Sequence, residues 1–117
     1  MGYFTDEEFY CPCGECEPRP PSSMLKYMLN EARSFAGIPF IITSGVRCVR
    51  HNRAVGGTMD SEHIDCDAAD IAVGSSWERM VIVSALVVAG FKRIGVAKSF
   101  VHAGVSTSKP RPVLWTY

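Results

Sequence analysis

The sequence predicts a small single α+β domain over residues 1–117, with a mainly antiparallel sheet packed against two main helices. The first observation is length, because 117 residues suit one domain. The second is composition, because 47% hydrophobic residues are enough for a buried core and exclude a disordered chain. The third is order: helix, strand, loop, strand, helix and further strands, with a hairpin near the end, favour an α+β arrangement.

The first half of the chain contains a helical turn, a main helix and a short strand. Thr5 and Glu8 have the spacing of a capping box, which opens a short helical turn. Apolar residues then recur at helical spacing over residues 25–36 behind a serine cap, and Gly37 is suited to end this helix. The β-branched run at residues 40–43 predicts a buried strand.

The second half begins with a segment that has neither the helical nor the strand spacing of apolar residues. Residues 44–61 are rich in glycine and polar residues and predict a long loop, compatible with one helical turn inside it, and such a loop in a small domain is usually functional. Residues 67–73 predict a second strand. Ser75 and Glu78 have capping-box spacing before an amphipathic helix over residues 77–89 that ends at Gly90. Three more strands are predicted after it, at residues 91–96, 100–105 and 113–117.

Composition excludes some classes of function. Twelve Lys and Arg balance twelve Asp and Glu, so no basic excess is present to neutralise nucleic acid or attach to a membrane surface. The longest apolar stretch, residues 80–90, is far shorter than the roughly 20 residues of a membrane span, so no membrane insertion is expected. Residues 1–8 are acidic and have no apolar run, so we expect synthesis in the cytoplasm without a signal peptide, as a monomer.

The cysteines leave several interpretations open. An odd count of five argues against a fully paired disulfide framework. Three of them lie within six residues, and this cluster is compatible with free thiols at a turn, with a disulfide formed after release from the cell, or with a small structural metal site. A fourth metal ligand would come from Cys48, His51 or Cys66. The five cysteines are Cys11, Cys13, Cys16, Cys48 and Cys66.

Two histidines and one aspartate lie in unusual positions. His63 ends the long loop, and His102 lies in an apolar strand pattern, whereas His51 lies in a polar loop and is expected to be an ordinary surface residue. Asp70 lies among small apolar neighbours, where a carboxylate is costly to bury unless it is paired or binds a metal. Two imidazoles and one carboxylate can form a catalytic zinc site with an open fourth position. Their spacing alone does not distinguish such a site from hydrogen-bonded core residues.

Longer motifs are more specific. Residues 61–70, Ser-Glu-His-Ile-Asp-Cys-Asp-Ala-Ala-Asp, resemble the Ser-x-His-x-x-Gly-x-Ala-x-Asp signature of the zinc D-alanyl-D-alanine carboxypeptidase family. That family includes peptidoglycan endopeptidases and phage endolysins, and it shares a metal-site architecture with the hedgehog signalling domain. Three other segments are similar to family motifs in the same order, at residues 4–14, 41–57 and 94–102. The resemblance covers nearly the whole chain and implies a hedgehog-like, DD-peptidase-like fold.

The resemblance also implies roles for individual residues. It implies that His63, Asp70 and His102 bind zinc, and that Arg47 recognises substrate. A guanidinium group suits this task because its fork matches a carboxylate or a peptide carbonyl, although Arg47 could instead form a salt bridge that braces the loop. Ser61 matches the start of the signature and is expected to hydrogen-bond substrate or to brace the loop.

Three departures from the family pattern affect the expected chemistry. Cys66 replaces a glycine of the signature, which could strain the turn, and Gly104 replaces the acid of a frequent His-x-Asp motif. Ser99 stands three residues before the last histidine, where many members carry an acidic general base. The catalytic base is therefore unknown. Other carboxylates lie nearby, and strand alternation is expected to point them away: Glu62, Asp65 and Asp67.

These motifs lead to three hypotheses. The first is a zinc peptidase that hydrolyses D-amino-acid-containing stem peptides of peptidoglycan at the cell wall or periplasm. Its small size suits a phage-encoded lysis or entry protein, or a bacterial enzyme released by a separate system. The second is a zinc-containing module that binds peptidoglycan but has lost catalysis. The third is an interaction protein whose metal is held only by the N-terminal cysteines.

Overall fold

The computed structural model describes residues 2–117, which form a mixed sheet of five strands and three α-helices. The α-helices are α1 (Ser23–Ala36), α2 (Val49–Ala54) and α3 (Ser76–Ala89). The strands are β1 (Ile42–Ser44), β2 (Ala68–Ala72), β3 (Arg93–Val96), β4 (Phe100–Gly104) and β5 (Val113–Thr116). A short 3-10 helix at Asp6–Phe9 precedes them. Within the described residues, no helix combines the length and apolarity that crossing a membrane requires.

The helix ends are set by residues that the sequence identifies. The side chains of Ser22 and Ser75 accept the backbone N–H three residues on, at 3.2 and 3.1 Å, and cap α1 and α3. Gly37 and Gly90 follow these two helices with φ angles of 70° and 99°, in the left-handed region that glycine adopts without a steric penalty. The Thr5 N–H donates to the carboxylate three residues on at 2.7 Å, as a capping box requires.

The sheet has the strand order β1-β2-β4-β3-β5. Its first three pairings are antiparallel and β3–β5 is parallel, so the prediction of a mainly antiparallel α+β sheet with two main helices is confirmed. The prediction of a buried strand at residues 40–43 is wrong in two respects. The strand begins two residues later, and it lies at the sheet edge, where Ile41 is 65% exposed and only Phe40 of the predicted run is buried.

The two faces of the sheet have different chemistry. Side chains alternate along each strand, so Ile71 of β2 and Val101 of β4 pack in the hydrophobic core with α1 and α3. Asp70 and His102, the neighbours of these residues, point to the opposite face. The helices therefore cover one face and leave the other for polar groups.

The strand register aligns one residue from each strand in a single row across this polar face. Ser44 pairs with Asp70, Asp70 with His102, His102 with Gly95, and Gly95 with Trp115. The row follows from the pairing of all five strands. It places residues that are far apart in the sequence side by side.

Candidate metal centre

Three buried side chains converge on the polar face of the sheet. His63 comes from the turns before β2, Asp70 from the middle of β2, and His102 from the opposing position on β4. Asp70 Oδ1 lies 3.4 Å from His63 Nε2 and 3.1 Å from His102 Nδ1. One donor atom from each residue lies within 4.8 Å of the other two. The structure thus brings together the three residues that the resemblance proposes as ligands.

Both imidazole rings are held by their outer nitrogens. His63 Nδ1 lies 2.6 Å from the carbonyl oxygen of Gly45, and His102 Nε2 lies 2.7 Å from Glu62 Oε2. Because a carbonyl and a carboxylate accept hydrogen bonds, these two nitrogens donate. The inner nitrogens, His63 Nε2 and His102 Nδ1, then face Asp70.

This donor set fits zinc. Zinc binds imidazole nitrogen and carboxylate oxygen, and catalytic sites use three protein ligands with a fourth position left open. The hydrogen bonds to Gly45 and Glu62 are the outer contacts that metal-binding histidines need, because they fix the ring orientation and the tautomer. His63, Asp70 and His102 therefore have the chemistry and the support of a zinc site.

Three side chains at this site, Asp70, Glu62 and His102, have pKa values displaced from their ordinary values. Burial raises the pKa of Asp70, but hydrogen bonds from His102 and His63 outweigh burial and lower this pKa to about 2. Burial also raises the pKa of Glu62, and the interactions with His102 and Arg93 again bring it below its ordinary value. Burial lowers the pKa of His102, but Asp70 and Glu62 together raise it above its ordinary value.

Glu62 is the functional residue that sequence reasoning missed. Its side chain is only 3% exposed and accepts from Arg93 Nε at 3.0 Å as well as from His102. The expectation that it points away is wrong, because residues 62–66 form turns before β2 begins and strand alternation does not apply there. Asp65 and Asp67 do not line the metal-centre cleft.

A glycine makes room for this carboxylate. A Cβ atom added to Gly104 would collide with the Glu62 carboxyl group. Gly104 is the position where the His-x-Asp motif would place an acid, two residues after His102 and on the same face of β4. Glu62 thus occupies the space that the absent acid leaves open, and the missing acid was the signal that could have pointed to it.

The candidate metal centre lies in a cleft of about 550 Å³. Its lining includes Arg47, the glycines at 56 and 57, and the aromatic side chains of Phe100, Trp115 and Tyr117. The Trp115 ring lies 5.2 Å from the His102 ring. A volume of this size is in the range of small-ligand sites.

Comparison with known families decides the classification. The Peptidase M15 family model matches residues 2–104. The chain belongs to the peptidase M15 family. This is the zinc D-alanyl-D-alanine carboxypeptidase family, so the resemblance is confirmed, and membership supports a zinc peptidase role. A search of curated proteins finds no match. The family match ends before β5, so Trp115 and Tyr117 lie outside it.

In this M15 family member, Arg47 and Ser61 line the cleft but already have protein partners. Arg47 Nη2 lies 3.5 Å from Asp70 Oδ2, and its other nitrogens donate to Ser44 Oγ and Asn52 Oδ1, each at 3.1 Å. The Ser61 hydroxyl accepts the backbone N–H of His63 at 3.2 Å. Both residues therefore brace the loop, and both remain candidates for substrate binding.

The cysteines divide into a group of four and one separate residue. All five are free thiols, and Cys11, Cys13, Cys16 and Cys48 lie together. Cys66 lies apart from them. It has a φ of 65°, in the region that favours the glycine of the family signature, and its sulfur accepts from Arg19 at 3.4 Å.

The structure leaves the catalytic base unassigned. Ser99 is exposed and does not line the cleft. Among residues 2–117, the carboxylates that line the cleft are Glu62 and Asp70. Both are engaged by histidine and arginine side chains. Glu62 contacts the outer nitrogen of His102, Nε2, whereas the candidate metal ligand atom of this ring is Nδ1. The Glu62 carboxylate therefore lies on the side of the ring away from the candidate metal position.

Proposed function

We propose that the protein is a zinc peptidase that hydrolyses peptide bonds in D-amino-acid-containing stem peptides of peptidoglycan. The observation that carries this proposal is the convergence of His63, Asp70 and His102 in an open cleft, with both outer imidazole nitrogens held. Family membership supports the peptidase chemistry. The substrate class comes from the resemblance of residues 61–70 to the carboxypeptidase signature.

Zinc held by His63, Asp70 and His102 would supply a Lewis acid and lower the pKa of bound water toward about 7. The protein would orient the three ligand side chains and shield the two histidines from bulk solvent. His63 and His102 are 3% and 6% exposed, and their outer hydrogen bonds prevent the rings from turning. Arg93 balances the charge of Glu62, so this carboxylate can hold His102 without adding net charge to the site.

Arg47 is the proposed substrate-binding group. Its partners Ser44 and Asn52 are neutral, and its contact with Asp70 at 3.5 Å is long for a hydrogen bond. The guanidinium group is always charged, and its anionic partner Asp70 is shared with His63 and His102, so positive charge remains at the edge of the candidate metal centre. A peptide carboxylate or carbonyl that enters the cleft would find this charge next to the donor atoms.

The test is hydrolysis by the zinc-loaded protein of two substrates, a stem peptide ending in D-Ala-D-Ala and intact cross-linked peptidoglycan. Mass spectrometry of the products separates carboxypeptidase from endopeptidase action. We expect His102→Ala to lose at least about 100-fold in rate, as loss of a metal ligand removes the activated water. Arg47→Lys should raise KM because lysine lacks the fork.

Arg50→Lys is the matched control, since the Arg50 side chain is 70% exposed and does not line the cleft. It should leave both rate and KM unchanged. Absence of cleavage of either substrate by the zinc-loaded wild-type protein between about pH 6 and 9 would refute the peptidase proposal.

One observation favours a second candidate, a peptidoglycan-binding module without catalysis. Among the described residues, the cleft contains no carboxylate that is free to accept a proton, and Ser99 lies outside it. A positioned acid or base contributes roughly 10²–10⁴-fold to such reactions. This candidate predicts muropeptide binding in calorimetry without products, so turnover by the wild-type protein would exclude it.

A further inference from the structure

A second group of potential metal ligands lies apart from the histidine centre. It is the four-cysteine cluster, Cys11, Cys13, Cys16 and Cys48. All four sulfur atoms lie within 4.8 Å of one another. Cys48 Sγ is 3.8 Å from both Cys11 Sγ and Cys13 Sγ. The first three residues belong to the N-terminal segment, and the fourth caps α2.

We propose that the four-cysteine cluster binds a structural zinc ion through four thiolates. A tetrahedral zinc site with Zn–S bonds of about 2.3 Å has sulfur atoms about 3.8 Å apart, which is the spacing observed around Cys48. A disulfide needs sulfur atoms at about 2.05 Å and joins cysteines in pairs. Four sulfur atoms this close together fit one zinc ion better than they fit two disulfide bonds.

The backbone around the cluster is arranged for thiolate ligands. Cys13 and Cys16 have the Cys-x-x-Cys spacing of zinc sites, and Gly14 between them has a φ of 75°, which permits the tight turn. Backbone N–H groups also point at the sulfurs. Cys13 Sγ accepts from Glu15 at 3.4 Å, and Cys11 Sγ accepts from the N–H of Cys48 at 3.5 Å.

Four protein ligands leave no open position, so this ion would be structural and not catalytic. Its place in the fold indicates what it secures. The Val46 N–H donates to the Phe9 carbonyl at 2.8 Å, and a Cβ on Gly45 would lie 2.6 Å from the same oxygen, so the N-terminal segment lies directly against residues 45–48. That stretch carries the Gly45 carbonyl that holds His63, and also Arg47. The ion would hold the N-terminal segment against residues 45–48 and so stabilise this side of the candidate metal centre.

Metal content tests the proposal independently of peptidase activity. Wild-type protein purified with zinc and reductant should contain about two zinc ions per chain by elemental mass spectrometry. His102→Ala and the double variant Cys13→Ser/Cys16→Ser should each contain about one. Cys66→Ser is the matched control and should retain both, because Cys66 lies outside the cluster.

Cobalt substitution identifies which site is filled. In His102→Ala, bound cobalt should give the intense near-ultraviolet absorption of thiolate-to-cobalt charge transfer. The double cysteine variant should lose this absorption. A single ion that disappears in His102→Ala, or bound cobalt without the thiolate absorption, would overturn the proposal.

Counting reactive thiols in the wild-type protein avoids any dependence on how the cysteine variants fold. In the zinc-loaded protein, an alkylating reagent should leave the four cluster cysteines unmodified, and after chelation these four should react. Five reactive thiols in the loaded protein would refute the site. A disulfide detected in mass spectra of the loaded protein, or iron in place of zinc, would equally refute it.

Discussion

At the scale of single residues, the Glu62 carboxylate fills the space beside His102 that the missing side chain of Gly104 leaves open. The Glu62 carboxylate holds His102 Nε2, and a side chain at position 104 would collide with it. Loss of an outer contact of this kind typically weakens metal binding 10–100-fold, so we expect that loss for Glu62→Ala, measured by competition with a chelator. Adding Gly104→Asp to this variant should restore most of the affinity, because a carboxylate returns to the same space.

Two further variants test this exchange. Gly104→Asp alone should lower the melting temperature, since two carboxylates would then compete for one position. Asp65→Ala, which removes an exposed carboxylate of the same turn, should leave zinc affinity unchanged. If the double variant binds zinc no better than Glu62→Ala, position 104 cannot supply the outer contact.

The raised pKa of His102 should make zinc binding at the proposed site depend on pH. A raised folded-state pKa means that the imidazolium stabilises the metal-free fold below the unfolded value of about 6.5, and that this contribution is lost as pH rises through the folded value. Zinc needs unprotonated Nδ1, so affinity should rise with pH, by up to roughly tenfold per unit, until the folded pKa is passed.

Calorimetry in buffers of different ionisation enthalpy measures the protons released on zinc binding. Subtraction of the His102→Ala signal isolates this site from the four-cysteine cluster. Glu62→Gln should reduce the proton release near neutral pH, because one of the two carboxylates that raise the pKa of His102 is gone. Equal proton release from wild type and Glu62→Gln would contradict this account.

The limits of sequence reasoning are also visible at the residue scale. His63, Asp70 and His102 could be selected because family motifs fix their order and spacing. Periodicity could not select Glu62, because its role depends on the turns at residues 62–66 and on the space that Gly104 leaves, and the missing acid at position 104 was the available signal. Such a contact between residues 42 positions apart leaves no periodic trace in the sequence.

At the scale of elements, β5 packs Trp115 closely against Gly95 of β3. These residues face each other in the parallel β3–β5 pair, and a Cβ on Gly95 would lie 2.6 Å from the indole ring. Gly95→Ala should therefore cost roughly 1–3 kcal/mol through overpacking and push Trp115 away from the cleft. Denaturant unfolding measures the cost, and fluorescence in a Trp77→Phe background reports Trp115 alone.

Trp77 is 64% exposed, so its replacement should leave stability nearly unchanged and serves as the reference. An unshifted Trp115 emission with unchanged stability in Gly95→Ala would show that β5 is not held by this contact.

Helices whose ends are marked by capping residues could be predicted from the sequence. The order and pairing of the strands in the sheet could not. The serine caps and terminal glycines located α1 and α3 to within about one residue, because capping chemistry is local. The parallel pairing of β5 and the edge position of β1 depend on which strands meet, and apolar runs alone do not encode that choice.

At the scale of the whole molecule, the candidate metal centre is assembled from distant parts of the chain. The row Ser44, Asp70, His102, Gly95 and Trp115 exists only when all five strands are paired. The turn that supplies His63 is held in place by the Gly45 carbonyl. Zinc at this centre would thus join β2, β4 and the turn before β2, and its binding energy should stabilise the entire fold.

This linkage gives a prediction for the intact protein. A ligand that binds only the folded state at about 1,000 times its Kd adds about 4 kcal/mol to the free energy of unfolding. With the four-cysteine cluster already loaded, zinc should therefore raise the melting temperature by roughly 10–20 °C, and hydrogen exchange should slow in β2 and β4. His102→Ala should abolish both effects, while Cys66→Ser should retain them. If zinc stabilises His102→Ala as much as wild type, the stabilising ion is held elsewhere, and the three converging side chains are hydrogen-bonded core residues and not a zinc site.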